Sequence, residues 1–73
     1  MRDANHYRGL IHSNPGASIG YTLAAAAIYA ARYGKCEADE RGTDEWKQIA
    51  RDLKARYGEN LSAADVLREM EAE

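Results

Sequence analysis

IGYTLAAAAIYAARY, residues 19–33, is the stretch of sequence that decides the fold. It lies in a segment with no formally charged side chain between Arg8 and Arg32, whereas charged residues make up 30% of the chain. Alanine has the highest intrinsic helix propensity, and glycine readily adopts the left-handed conformation in which many helices end. We therefore expect a central helix that is apolar on every side and ends at Gly34.

The start of the central helix is less sharply marked than its end. Asn14 can cap the free amides, and Pro15 suits the first helical position because its missing N–H needs no partner there. Ser18 is an alternative cap about one turn further on. We place the helix over about residues 15–33.

A second helix is expected after a charged linker, residues 35–42. Thr43 can cap it, and the two acidic residues of its first turn interact favourably with the positive end of the helix dipole. Its apolar side chains recur at helical spacing at Trp46, Ile49, Ala50, Leu53 and Tyr57. Because Gly58 follows this amphipathic pattern, we predict a helix over residues 44–57.

The third helix has the most specific local signal in the sequence. Ser62 and Asp65 have the spacing of a capping box, in which each side chain bonds to the backbone of the other residue. Leu61 and Val66 flank the cap as a hydrophobic staple. These residues predict a helix over residues 63–71.

Residues 1–13 are the least readable part of the chain. Tyr7, Leu10 and Ile11 have the spacing of one helical turn, although Gly9 weakens the helical pattern. We expect an N-terminal arm or short helix that packs these three side chains onto a single helical domain, residues 14–73. The predicted fold class is an all-α bundle of two to three helices around the alanine-rich helix.

The central helix presents two apolar sides when its residues are projected at about 100° each. One side holds Ile19, Leu23, Ala26, Ala30 and Tyr33, and the opposite side holds Tyr21, Ala25, Ile28 and Arg32. A ridge of small residues lies between them and would allow another backbone to approach closely. The apolar stripes of two further helices can cover only about half of this circumference.

We expect a second copy of the chain to cover the other half, because proteins seldom leave such a patch in water. The predicted self-association residues are Gly20, Tyr21, Ala24, Ala25, Ile28, Ala31 and Arg32. Two alternatives remain: residues 1–12 fold back and complete a monomeric bundle, or a foreign partner covers the patch.

Composition narrows the class of protein. Seventy-three residues form one small domain, and a single cysteine excludes an internal disulfide and fits a reducing cytoplasm. The net charge of −2 argues against a dominant phosphate-binding role.

Residues 13–31 are uncharged and long enough to span a membrane. They contain several polar residues and weakly lipophilic alanines, so we expect no membrane insertion.

The residues that could carry catalysis or bind a metal have simpler explanations. His6, His12 and Cys36 are too far apart in the sequence to indicate the four converging ligands of a zinc site, and we expect the thiol near solvent. The serine and threonine hydroxyls fall at helix caps, and Asp39 and Glu40 fall in a solvated linker. We expect no enzyme activity and no cofactor.

The remaining function is protein binding. We expect a non-catalytic helical module, a homodimer, that acts as a stoichiometric inhibitor or modulator of a larger protein. Small domains without catalytic motifs are common among the inhibitors of phages and mobile elements. The predicted contact residues for the larger protein are Tyr29 and three acids that could mimic phosphates, Glu69, Glu71 and Glu73.

The alternative is a small transcriptional regulator that binds nucleic acid. Lys47, Arg51 and Lys54 line one side of the second predicted helix and could contact phosphates. Against this, the helix that would enter the major groove, residues 63–73, is acidic and has no Asn, Gln or Lys to read base edges. Nucleic acid is therefore the less favoured partner.

Overall fold

The computed structural model describes residues 3–13 and 18–71. Within these residues the chain forms four α-helices, α1 (Ala4–His12), α2 (Tyr21–Tyr33), α3 (Asp44–Tyr57) and α4 (Ala63–Glu71), with a 3₁₀ helix at Ala38–Gly42. The predicted all-α class is confirmed. Helices α3 and α4 have the bounds that their caps predict, and the N-terminal segment contributes the additional helix α1.

The alanine-rich helix begins later than expected. Its N-cap is Gly20, in an extended conformation, and the helix starts at Tyr21. Just before it, the amide of Ile19 donates to the carbonyl of Leu61 at 2.9 Å, and Ser18 forms an isolated antiparallel bridge with Ser62. The predicted start near residue 15 is therefore wrong, because this backbone pairs with the start of α4; Asn14 and Pro15 lie outside the described residues.

The predicted helix ends are confirmed. Gly34 has a φ of 95°, and its N–H donates to the Ala30 carbonyl. Gly58 has a φ of 59° and closes α3 through a bond to the Lys54 carbonyl. Both φ values lie in the left-handed region, which is strained for residues that carry a Cβ, so glycine is required at each turn.

The predicted helix starts at Thr43 and Ser62 are confirmed too. The Thr43 hydroxyl accepts the amide of Trp46 at 3.2 Å. The amide of Ser62 donates to the Asp65 carboxylate at 3.2 Å, and the amide of Asp65 donates to the Ser62 hydroxyl at 3.3 Å. This reciprocal pair is the predicted capping box, and the staple residues Leu61 and Val66 are both buried.

Helix α2 lies at the centre of the bundle and packs against α1, α3 and α4. Its alanines and Ile28 join the largest buried side chains of the other elements in one hydrophobic core, namely Tyr7, Ile11, Leu53 and Val66. The small alanine side chains allow the three neighbouring helices to pack closely around α2.

Helix α1 folds back over α2 and α4, so one chain closes its own core. Tyr7 and Ile11 are buried as expected, but Leu10 is 52% exposed, and the prediction that it packs inward is wrong. Ile28 is only 1% exposed, so the prediction that its side of α2 is left uncovered is also wrong. The structure corresponds to the alternative in which the N-terminal residues complete the bundle.

Candidate functional site

The residues predicted for self-association do not form one open surface. Ala24, Ala25 and Ile28 are buried in the core, and Tyr21 and Ala31 are partly buried. Gly20 and Arg32 are exposed, at opposite ends of α2. The physical reason is that α1, α3 and α4 all pack against α2, so the chain itself supplies the cover that is expected from a second copy.

At the C-terminal end of α2, Arg32 and Tyr33 are exposed and Tyr29 is partly buried; we call these three residues the tyrosine–arginine surface. Tyr33 is 54% exposed, and its ring lies 4.5 Å from the ring of Tyr29, centroid to centroid, at a tilt of 43°. We assigned Tyr33 to the covered side of α2 from its sequence position. The signal that could have identified this surface is the four-residue spacing of the two tyrosines, which places their rings side by side on a helix.

A groove of about 360 Å³ adjoins this surface, between the end of α2 and the start of α3. It is lined by Arg32, Tyr33, Asp44, Glu45, Gln48 and Ile49. Ile49 is buried and supplies an apolar wall, whereas the charged side chains beside it carry both signs. Such a groove offers contact area, hydrogen bonds and charge pairing to a partner.

Of the acidic residues predicted to contact a partner, Glu69 and Glu71 lie within the described part of the chain. Glu69 accepts both terminal nitrogens of Arg56, at 3.1 and 2.7 Å, and the hydroxyl of Tyr57 at 2.7 Å; we call these three residues the α3–α4 clasp. Although burial of Glu69 opposes the shift, these hydrogen bonds hold its pKa below the ordinary value. Glu69 is thus paired within the chain, and its contact with a partner stays a prediction. Glu71 is exposed, and Glu73 lies outside the described residues.

The basic residues of the nucleic-acid alternative share one solvent-facing side of α3. Lys47, Arg51 and Lys54 are all exposed, whereas Ile49 and Leu53 point into the core. Acidic residues alternate with this row along the helix, so the positive charge is confined to a narrow stripe. The stripe resembles the solvated side of an ordinary amphipathic helix as much as a phosphate-binding surface.

Cys36 is the residue whose environment differs most from our expectation. It is 0% exposed, because the linker folds inward before the 3₁₀ helix. Burial raises the pKa of its thiol, although the neighbouring Arg41 opposes this. A buried thiol with a raised pKa is a poor nucleophile, so its placement near solvent was wrong.

Residues 3–13 and 18–71 contain no group of three or more His, Cys, Asp or Glu side chains arranged to hold a metal ion. No helix in these two segments combines the length and apolar character needed to cross a membrane.

Comparison with protein-family models, with curated proteins and with solved structures finds no match to this chain. Among the described residues, the tyrosine–arginine surface and its groove combine exposed aromatic and charged side chains beside a concave surface.

Proposed function

We propose that this chain is a non-catalytic protein-interaction module of the cytoplasm that binds a larger protein stoichiometrically and inhibits or modulates it. The observation that supports the proposal is the tyrosine–arginine surface, Tyr29, Arg32 and Tyr33, beside the groove at the start of α3. Inhibitors of this size are of the kind that phages and mobile elements encode.

The composition of this surface suits protein binding. Tyrosine and arginine are enriched among the residues that dominate interface energies, because each combines a large contact area with directional hydrogen bonds. The two tyrosine rings already pack against each other, so less side-chain entropy is lost when a partner covers them. Behind them, the alanines of α2 are buried, which gives the surface a rigid backing.

Self-association is a second proposal for the tyrosine–arginine surface, which differs from the surface predicted from the sequence. A second copy and the larger protein would cover the same three side chains, so the two would compete for them. A chain of 73 residues has a small core, and oligomerisation is a common way for such domains to gain stability. Because Ile28 is buried within the chain, the tyrosine–arginine surface is the contact that we propose for a second copy. Sedimentation over a range of micromolar concentrations should show an increase in mass that Tyr33→Glu removes; a wild-type mass that stays monomeric throughout would contradict the dimer.

A second candidate function is nucleic-acid binding through Lys47, Arg51 and Lys54, and its support is that all three are exposed on one side of α3. A variant with these three charges reversed distinguishes the two hypotheses. The variant should lose its activity if the chain binds phosphates, and should keep most of its activity if the chain binds protein through α2.

The experiment compares three immobilised chains: wild type, the Tyr29→Ala, Tyr33→Ala variant, and the charge-reversed α3 variant. We expect a protein from a lysate of the source cells to be retained by the wild type and by the charge-reversed chain. Once purified, it should bind at one-to-one stoichiometry and lose roughly 30-fold or more in affinity for the tyrosine variant. If only the charge-reversed chain fails to retain a partner, nucleic-acid binding is favoured. If all three chains bind the partner equally well, the tyrosine–arginine surface is not the binding site.

A further inference from the structure

The groove at the start of α3 is lined by side chains of opposite charge that do not pair with one another. Arg32 belongs to α2, and Asp44 and Glu45 belong to α3. All three are exposed, and within residues 3–13 and 18–71 none of their side chains forms a hydrogen bond or an ion pair. Charges of both signs are therefore available to a molecule that enters the groove.

The fold does not use the two carboxylates for hydrogen bonding. The hydroxyl of Thr43 caps α3, so neither Asp44 nor Glu45 serves as its cap. Their remaining role in the helix is a favourable interaction with the positive end of its dipole, which leaves the carboxylate oxygens without a donor. Gln48 donates its side-chain amide to Asp52 at 3.0 Å, which leaves its own side-chain oxygen as a further acceptor. The α3 side of the groove thus presents several acceptors to a cation.

The apolar part of the groove suits the stem of an arginine. Ile49 is buried and forms an apolar wall, and the exposed ring of Tyr33 lines the same groove. Arginine lays its aliphatic stem along such surfaces, and its planar guanidinium binds carboxylates and stacks on aromatic rings. An arginine therefore matches the lining of this groove in both shape and charge.

We propose that the groove is a self-complementary contact between two copies of this chain, in which Arg32 of each copy binds Asp44 and Glu45 of the other. This inference rests on the self-association proposed above and names its contacts. In a two-fold dimer each surface must carry both a group and the acceptor for that group, because every contact occurs twice. The groove meets this requirement, since the arginine and the two acids line it within one chain.

The apolar contacts and the ion pairs have different roles in this dimer. The tyrosine ring and the apolar wall supply contact area, whereas exposed ion pairs contribute little affinity and mainly fix the arrangement of the two copies. Reversing a charge is nevertheless a strong perturbation, because it replaces attraction by like-charge repulsion at both symmetric contacts. We expect each such reversal to raise the dissociation constant of the dimer at least tenfold.

The experiment uses two full-length variants with opposite changes, Arg32→Glu and the double variant Asp44→Lys, Glu45→Lys. Each variant alone should sediment as a monomer at concentrations where the wild type dimerises. An equimolar mixture should form a heterodimer about as tight as the wild-type dimer. In that heterodimer the new acid of one variant meets the new lysines of the other, and the second contact keeps its native charges. Ala55→Glu, which adds a charge at an exposed position of α3 outside the groove, should dimerise as the wild type does.

Lysines at the start of α3 oppose the helix dipole, so circular dichroism must show that the double variant remains helical. If it does not fold, Asp44→Asn with Glu45→Gln replaces it. Its mixture with Arg32→Glu should then form a heterodimer tighter than either homodimer, because one native contact survives.

The possible outcomes separate this inference from the proposals on which it rests. If the wild type dimerises and the charge reversals leave the dimer intact, or if the mixture forms no heterodimer, the arginine–acid contact is wrong and self-association uses another surface. If the wild type stays monomeric at every concentration, both this inference and self-association are wrong, and the groove is left to the larger protein.

Discussion

Tyr7→Phe removes a buried hydroxyl and leaves the aromatic ring in place. In the native chain that hydroxyl donates to the Cys36 carbonyl at 2.9 Å and ties α1 to the segment after α2. A hydrogen bond of this type contributes about 1 kcal/mol net, and a buried carbonyl left without its donor costs about 1–3 kcal/mol. Since the ring keeps its packing, we expect the free energy of unfolding to fall by about 1–2 kcal/mol.

Urea unfolding followed by the fluorescence of Trp46, the single tryptophan, measures this loss. For a small protein with a slope near 1 kcal/mol per molar urea, the midpoint should fall by about 1–2 M. Labelling of Cys36 gives a second readout. A loss of about 1.4 kcal/mol in the docking of α1 makes the thiol roughly tenfold more reactive.

Tyr33→Phe is the matched control, because it removes the same hydroxyl from a side chain that is 54% exposed. We expect it to change stability by less than about 0.5 kcal/mol. The reasoning is refuted if Tyr7→Phe matches the wild type in both assays, or if the two tyrosine variants lose the same stability.

Three further predictions concern other parts of the bundle. Glu69 has a folded-state pKa below its ordinary value of 4.5, so its contribution to stability is present above that value and is lost as the pH falls through the lowered pKa. The stability difference between wild type and Glu69→Gln should therefore shrink from about pH 6 to about pH 3, and a constant difference in urea titrations would contradict the role of the clasp. Ile28→Glu places a charge at a position 1% exposed and should cost about 3–5 kcal/mol or prevent folding, whereas Thr22→Glu, at an exposed position of the same helix, should cost less than about 0.5 kcal/mol. A chain that remains stable and monomeric with Ile28→Glu would show that the core is assigned wrongly. Ser62→Ala and Asp65→Ala should each cost about 1 kcal/mol in thermal or urea unfolding, and the double variant should cost less than their sum, because the two side chains form one reciprocal cap. Strict additivity would indicate that the cap does not act as a unit.

The elements that could be predicted from the sequence depend on contacts between residues close in the chain. The Ser62 and Asp65 cap, the Thr43 cap and the turn at Gly34 each involve atoms three or four residues apart. Such bonds need no partner from elsewhere in the chain, so the residue types predict them where no distant residue competes for the same backbone. The all-α class follows for the same reason from the alanine-rich helix and the apolar stripe of α3.

The start of α2 and the surroundings of Glu69 were not predicted, because in both places the bonding partners are distant in the sequence. The start of α2 shifted because Ile19 pairs with Leu61, more than 40 residues away in the sequence. Glu69 looked like a free acid because its partners, Arg56 and Tyr57, lie on the preceding helix. The spacing of residue types within one helix does not indicate which residues of another segment will pair with it.

By itself, the sequence determined that α2 has apolar residues on two opposite sides and that both sides need cover. Only the tertiary structure decided what covers α2. The hydrophobic effect depends on the apolar area removed from water, so α1 or a second chain could cover this surface equally well. Within this chain α1 supplies part of the cover, since Tyr7 and Ile11 are buried in the same core as Ile28. The exposed side chains Arg32 and Tyr33 lie at the C-terminal end of α2, beside the groove at the start of α3.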